Sequence, residues 1–145
     1  MSETIATIEK DIIEDFELFD EWAEKYEFVI ETGRKLPAMK EEYKIDSNKI
    51  KGCQSSVWMH TNFKDGRIYF EADSDSTFVK GLIALLMKVM NGQKPEDIVS
   101  APLDFINKTG LTTHIAQTRT NGLQAMIKQM KLYALGYQMK IQNKE

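Results

Sequence analysis

Apolar residues recur at three- and four-residue steps through the start of the chain: Ile5, Ile8, Ile12, Phe16 and Phe19, with Glu9, Lys10, Glu14 and Glu17 between them. That spacing keeps returning to one side of a 3.6-residue helix, so it predicts an amphipathic helix with a charged outer face. Asp20 can accept from the orphan amides of a following first turn, which predicts an N-cap and a second helix burying Trp22, Tyr26, Val29 and Ile30. Gly33 suits the C-terminal cap of that helix, and Pro37 blocks its resumption.

The period then falls to two. Val57, Met59, Thr61 and Phe63 alternate with Trp58, His60 and Asn62, which predicts a strand. Asp65-Gly66 is a hairpin turn, because both residues tolerate positive φ. The return strand sets Ile68, Phe70 and Ala72 on one face and Tyr69 and Glu71 on the other. An earlier strand around Tyr43 to Ile50 would make three antiparallel strands.

Helical spacing resumes after Asp73-Ser74-Asp75-Ser76, a cluster of capping residues. Phe78, Val79, Leu82, Ile83, Leu85, Leu86, Val89 and Met90 cover more than half of a helix, which therefore belongs at the centre of the molecule, with Gly92 ending it. Pro95 suits the first position of a short helix through Ile98, and another short piece spans Leu103 to Lys108 before Gly110. A last helix from about Thr120 or Asn121 to Tyr137 would bury Leu123, Ile127, Met130 and Ala134. The pattern predicts an α+β fold, a small antiparallel sheet of about three strands packed with helices, forming one domain over residues 1–145.

Composition narrows the function classes. Twenty-two acidic against nineteen basic side chains give a formal charge of −3, which argues against nucleic acid as the main partner. Met1 to Asp20 has no basic start followed by an apolar stretch, and the run Leu82 to Met87 is too short to cross a bilayer, so neither a secretory signal nor a membrane span is expected. A single cysteine cannot close an intramolecular disulfide, and with eight methionines it points to a reducing cytoplasm.

That cysteine is the first candidate for chemistry. Cys53 lies in Lys49-Ile50-Lys51-Gly52-Cys53-Gln54-Ser55-Ser56, a short polar stretch directly before a strand. Gly52 permits a sharp turn, the lysines favour the thiolate by Coulomb attraction, and Ser55, Ser56 and backbone amides can donate to it. The competing reading is a buried small hydrophobe, the usual fate of a free cysteine. On residue logic alone the two stand level. A zinc site would need about four ligands, whereas the chain offers one cysteine and two unpaired histidines, His60 and His114. A Cys-His hydrolase would need one of those histidines beside the sulfur. Thr112-Thr113-His114 and Thr118-Arg119-Thr120-Asn121-Gly122 read either as capped loop, with Thr118 or Thr120 as the cap, or as a docking surface beside the reactive loop.

Gly52-Cys53-Gln54-Ser55 followed by Val57-Trp58 resembles the SufE/CsdE family of sulfur acceptors. The likeness continues through Trp22-Ala23-Glu24-Lys25-Tyr26, Leu36-Pro37, Asp73-Ser74-Asp75, Val79 to Ala84, Pro95 to Ile98, Leu111 to His114 and Arg119 to Ile127, covering roughly residues 16 to 135 in one order. Where the family often has Thr-Pro-Ser before the arginine, this chain has Gln117-Thr118. The resemblance implies an α+β fold similar to IscU-type scaffolds, with the reactive cysteine in a loop at one end of the sheet. It implies that Cys53 takes sulfur from a pyridoxal-phosphate-dependent cysteine desulfurase as a persulfide, stimulates that enzyme, and relays the sulfur to a downstream iron–sulfur scaffold. On that reading the chain is a non-enzymatic carrier without metal or cofactor of its own, a monomer or weak homodimer. Gly52, Gln54 and Ser55 support the loop, Lys51, His114 and Arg119 are candidate docking residues, and Val57 or the Leu82 helix covers the sulfur until docking.

Overall fold

The computed structural model describes residues 4–143, so the ends of the expected 1–145 unit, residues 1–3 and 144–145, lie outside the described residues. Helix α1 (Ile5–Glu17) buries Ile5, Ile8, Ile12 and Phe16, and the Thr4 hydroxyl caps it by accepting from the Thr7 amide. Helix α2 (Trp22–Arg34) begins one residue later than expected: Glu21, not Asp20, is its N-cap, and the Glu24 carboxylate reaches back to accept from the Glu21 amide at 3.3 Å. A capping box thus replaces a lone aspartate cap.

Gly33 is not a cap either. It sits inside α2 against Gly81 of helix α3 (Thr77–Met90), where an added Cβ would lie 2.7 Å from the Gly81 nitrogen. The residue is glycine because two helix backbones meet there, and α2 ends two residues later at Lys35. Helix α3 lies at the centre, as its all-round apolar sequence predicts. Ile83, Val89 and Met90 are wholly inaccessible and Leu82 nearly so.

Strands β1 (Val57–Lys64) and β2 (Arg67–Ser74) pair antiparallel from Val57 opposite Ser74 to Lys64 opposite Arg67, with Asp65 and Gly66 both at positive φ in the turn. Val57, Met59, Ile68, Phe70 and Ala72 face the core. Among the described residues the sheet has two strands rather than about three. The segment read as a strand around Tyr43 to Ile50 instead forms two short 3-10 turns, Glu41–Tyr43 and Asp46–Asn48, and its ladder pairing with the sheet is reduced to one isolated bridge, between Lys49 and Trp58. Local hydrogen bonding outcompetes the ladder: the Asn48 amide side chain donates to the Tyr43 carbonyl at 2.8 Å, and the Lys49 amide to Asp46.

Short helices α4 (Pro95–Ser100), α5 (Phe105–Lys108) and α6 (Leu111–His114) lead to α7 (Gln117–Asn143). Thr112-Thr113-His114, read as a loop, is a helical turn after Gly110, whose φ is +80°. Helix α7 exceeds the expected span at both ends. Arg119 and Thr120 amides both bond the Ala116 carbonyl, so neither Thr118 nor Thr120 caps it. Between Gln138 and Asn143 there is no proline, glycine or positive φ to stop it, and Gly136, which meets no neighbour, does not interrupt the helix. Leu123, Met126, Ile127, Met130 and Ala134 seal α7 against the core. The ammonium of Lys131 donates to the Val99 and Ala101 carbonyls at 3.3 and 2.5 Å, tying α7 to the end of α4. Among the described residues no helix is long and apolar enough to cross a membrane.

Candidate functional site

Cys53 follows Gly52, whose φ of +93° bends the chain out of the 3-10 turns and toward β1. An alanine there would be strained by its backbone and would set its Cβ 3.3 Å from that of Ala125 on α7. The bend carries the sulfur onto the second turn of α7. Cys53 Sγ donates to the Gly122 carbonyl at 3.6 Å, and a Cβ on Gly122 would stand at the same distance from the sulfur. A glycine in that turn therefore leaves room for Cys53 to lie flat against the helix.

The sulfur is half-buried at a cavity of about 130 Å³ between α3 and α7. Val79 and Leu82 form one wall, Leu123 and Met126 the other, and Gln54, Ser55, Thr118 and Arg119 complete the lining. The expectation that the Leu82 helix covers the sulfur holds, whereas Val57 is absent from the lining and points into the core.

Burial pushes the Cys53 thiol above its ordinary pKa. The lysines expected to favour the thiolate do not offset that cost. Lys49 pairs with Asp46 at 3.7 Å and lies over the Trp58 ring, and Lys51 lines a different hollow. The Gly122 carbonyl accepts from the S–H and has no proton to offer a thiolate. In the free protein the sulfur is half-buried, in surroundings that favour the thiol over the thiolate.

Two carboxylates fix the far side of this loop. Asp75, read as part of a capping cluster, leaves the capping of α3 to Ser76 and instead accepts from the Ser56 amide at 3.0 Å, while its own amide donates to the Ser56 carbonyl. Asp73 is buried between Lys44 at 2.8 Å and Lys80 at 3.3 Å. Burial opposes its ionisation, but Lys44, the Ser74 amide and Lys80 together outweigh it and hold the carboxyl below its usual range. Its contribution to stability is thus present at neutral pH and lost as pH falls through that lowered value.

The three candidate docking residues separate. Arg119 lines the Cys53 cavity, its guanidinium 4.7 Å over the Phe78 ring and donating to the Tyr26 hydroxyl, with Tyr26 stacked on Phe78. His114 stacks on Trp22 at 3.9 Å with Nδ1 3.0 Å from the Gly110 carbonyl oxygen, and it does not line the cavity. Lys51 is exposed on the α7 side of the loop. His60 stacks on Tyr43, so neither histidine lines the cavity as a hydrolase base. Among the described residues no group of three His, Cys, Asp or Glu side chains could hold a metal ion.

Sequence reasoning placed Gly122 only in an optional surface beside the reactive loop and missed its contact with the sulfur; it also missed Leu123 and Met126 as neighbours of Cys53, and Asp75 as the tie on its loop. The signal for Gly122 was a glycine in the first turns of a long helix, a position that costs helix stability unless something packs on it. No comparable signal pointed to Asp75, because an Asp before a helix reads first as a cap.

Known proteins resemble the chain throughout. A family model described as "SufE: Fe-S metabolism associated domain" matches residues 10–134. An uncharacterized SufE-like protein of Rhizobium meliloti is 38% identical over 130 residues, which span 86% of this chain and 93% of that one. One of Synechocystis is also 38% identical, over 128 residues covering 88% and 80%. In structure the chain resembles a hypothetical protein from Thermus thermophilus, with a TM-score of 0.74 over 89% of this chain and 94% of that one; at 19% identity this likeness speaks for the fold alone. With matches of that length and identity, the chain belongs to the SufE family, whose domain is associated with iron–sulfur metabolism.

Proposed function

We propose that Cys53 is a sulfur acceptor, which takes the terminal sulfur of a persulfide on a pyridoxal-phosphate-dependent cysteine desulfurase and passes it to an iron–sulfur scaffold. The observation that carries this reading is a half-buried thiol on a bent loop, beside a cavity large enough for one added sulfur atom and walled by Val79, Leu82, Leu123 and Met126. Such a wall keeps water and stray thiols from a persulfide, which small reductants would otherwise strip.

The chemistry needs no external oxidant. As docking draws the sulfur from the Gly122 carbonyl, Cys53 gives its proton to water, and the thiolate attacks the outer sulfur of the donor persulfide. A new S–S bond forms to Cys53 as the donor's S–S bond breaks, and the donor leaves as a thiolate. Arg119, already on the cavity wall, is the cation placed to favour the anionic form of the loaded persulfide. Removal of sulfur from the desulfurase frees its cysteine for another turnover, so the chain acts as an activator and carrier rather than an enzyme. A lone thiol with this duty belongs in a reducing cytoplasm.

The test is mass spectrometry of the intact chain after incubation with a cysteine desulfurase and free cysteine. A one-sulfur gain on the peptide containing Cys53, absent from Cys53→Ser, is the expected result. Full stimulation of the desulfurase by Cys53→Ser, with no mass gain in the unsubstituted chain, would mean that the cysteine is structural and the reading wrong.

A further inference from the structure

The outer face of α7 carries a pattern that the core does not use. Lys128, Leu132, Leu135 and Met139 follow one another at steps of four, three and four residues, the spacing of a coiled-coil seam. Leu132, Leu135 and Met139 are 50%, 42% and 53% exposed, on the side of the helix opposite Met130 and Ala134, which are wholly buried. No described part of the chain covers this stripe. Ala125, one step up the same line, touches the Cys53 loop at Gly52. Beside it lies a hollow of about 520 Å³, lined by Ser47, Lys49, Lys51, Lys128, Gln129 and the edges of Ala125 and Leu132. Three lysines and no carboxylate line it, and Lys51 and Lys128 have no ion-pair partner among the described residues.

We infer that this face is a docking surface for an acidic amphipathic helix of a partner protein, whose apolar residues pack on Leu132, Leu135 and Met139 while its carboxylates meet Lys51 and Lys128. Charge decides among the occupants. Helix α7 contains Arg119, Lys128, Lys131 and Lys140 and no acidic residue, so a second copy laid along the seam would oppose cations to cations. A membrane surface would favour a wider apolar face with aromatic anchors, and this stripe is three side chains long and one wide. The surface runs directly into the loop that bears the sulfur. It therefore deepens the sulfur-acceptor reading and rests on it for its purpose: a helix seated there brings its parent protein to Cys53.

The probe is a synthetic helical peptide of roughly three heptads with Leu at the seam positions and Glu flanking them, labelled for fluorescence anisotropy and titrated with the full chain carrying Cys53→Ala. Two control peptides replace the Glu by Lys or scatter the Leu around the helix. The expected result is binding of the acidic seam peptide alone, weakened about tenfold by Leu132→Gln with Leu135→Gln, and weakened by Lys51→Glu with Lys128→Glu and by added salt. Equal binding of all three peptides, or of none, overturns the inference. So does loss by Leu132→Gln with Leu135→Gln of a dimer seen in sedimentation, which would give the seam to a second copy, or binding to phosphatidylglycerol vesicles that outcompetes the peptide. Far-UV circular dichroism of each variant checks that α7 still forms. Because binding is read without the cysteine, a failure here leaves the persulfide mass gain standing, and loss of that mass gain with binding intact overturns only the sulfur reading.

Discussion

Helices α3 and α7 wall the same cavity and are held by opposite means. Eleven of the fourteen residues of α3 are buried, so it is gripped from every side; six of the twenty-seven of α7 are, so it is gripped along one line. On α3 the grip includes backbone-to-backbone contact with α2 at Gly33 and Gly81. On α7 it relies on a row of side chains and on Lys131 reaching the end of α4. To expose Cys53 by moving α3 would break the core, whereas movement of the loop or the first turns of α7 costs a few local contacts. The fixed wall therefore shapes the pocket, and the other wall and its loop give access to it.

The sharpest way to break this contrast is at the α2–α3 crossing. A Cβ on Gly81 would lie 2.2 Å from the Val29 carbonyl oxygen and 2.6 Å from its Cγ1, and backbone cannot step aside as a side-chain tip can. Gly81→Val is expected to cost about 4 kcal/mol or to prevent folding, whereas Leu135→Ser on the outer face of α7 should stay within about 0.5 kcal/mol. Urea denaturation of the two variants measures the difference, and similar midpoints would mean that the two walls are held alike.

Leu82→Ala comes next. Leu82 is 1% exposed and forms part of the fixed wall. Its truncation should cost about 3 kcal/mol and enlarge the Cys53 cavity, so that iodoacetamide alkylates the sulfur faster in the folded protein. A variant destabilised by this amount with unchanged alkylation would show that α3 does not shield Cys53. Lys131→Met, on the α7 wall, keeps the length of the side chain but leaves the Val99 and Ala101 carbonyls without their donor. A loss of about 2 kcal/mol is expected, with faster amide exchange in α4 and in the facing turns of α7 than in α3.

How far the sequence foretold these walls follows from the same difference. The apolar run Phe78 to Met90 declared the buried helix, because a helix apolar on every side has only one place to go. The hairpin was equally legible, since Asp65-Gly66 fixes both turn and register. The segment from Tyr43 to Ile50 misled because Tyr43 and Ile45 alternate with Lys44 and Asp46 as in a strand, while Asp46, Ser47 and Asn48 offer the backbone nearer partners. Gly33 misled because a glycine near a helix end fits both a cap and a close crossing, and only the partner Gly81, forty-eight positions on, tells them apart. At the site, Cys53 and Arg119 could be named from their motifs. What spacing could not reveal was that burial, and not the neighbouring lysines, governs the sulfur's charge, because that depends on where Gly122 and Leu82 come to rest.

The smallest effect expected is also the most direct reading of that charge. Only the thiolate reacts with iodoacetamide, so the rate of alkylation follows the thiolate fraction. Burial raises the Cys53 pKa, and at any given pH the folded chain therefore carries less thiolate than a peptide of the same local sequence, Lys51 to Ser56. The folded protein should react more slowly at neutral pH, and its rate should rise along a curve displaced to higher pH. By linkage, the contribution of the neutral thiol to stability is complete below the unfolded pKa and declines as pH climbs through the folded one. Asp75→Ala removes the acceptor that holds the Ser56 amide and loosens the loop on the side away from Gly122. Its alkylation curve should move back toward that of the peptide while the core remains folded. A curve for the unsubstituted chain displaced to lower pH than the peptide would mean that Lys49 and Lys51, and not the two walls, set the state of the sulfur.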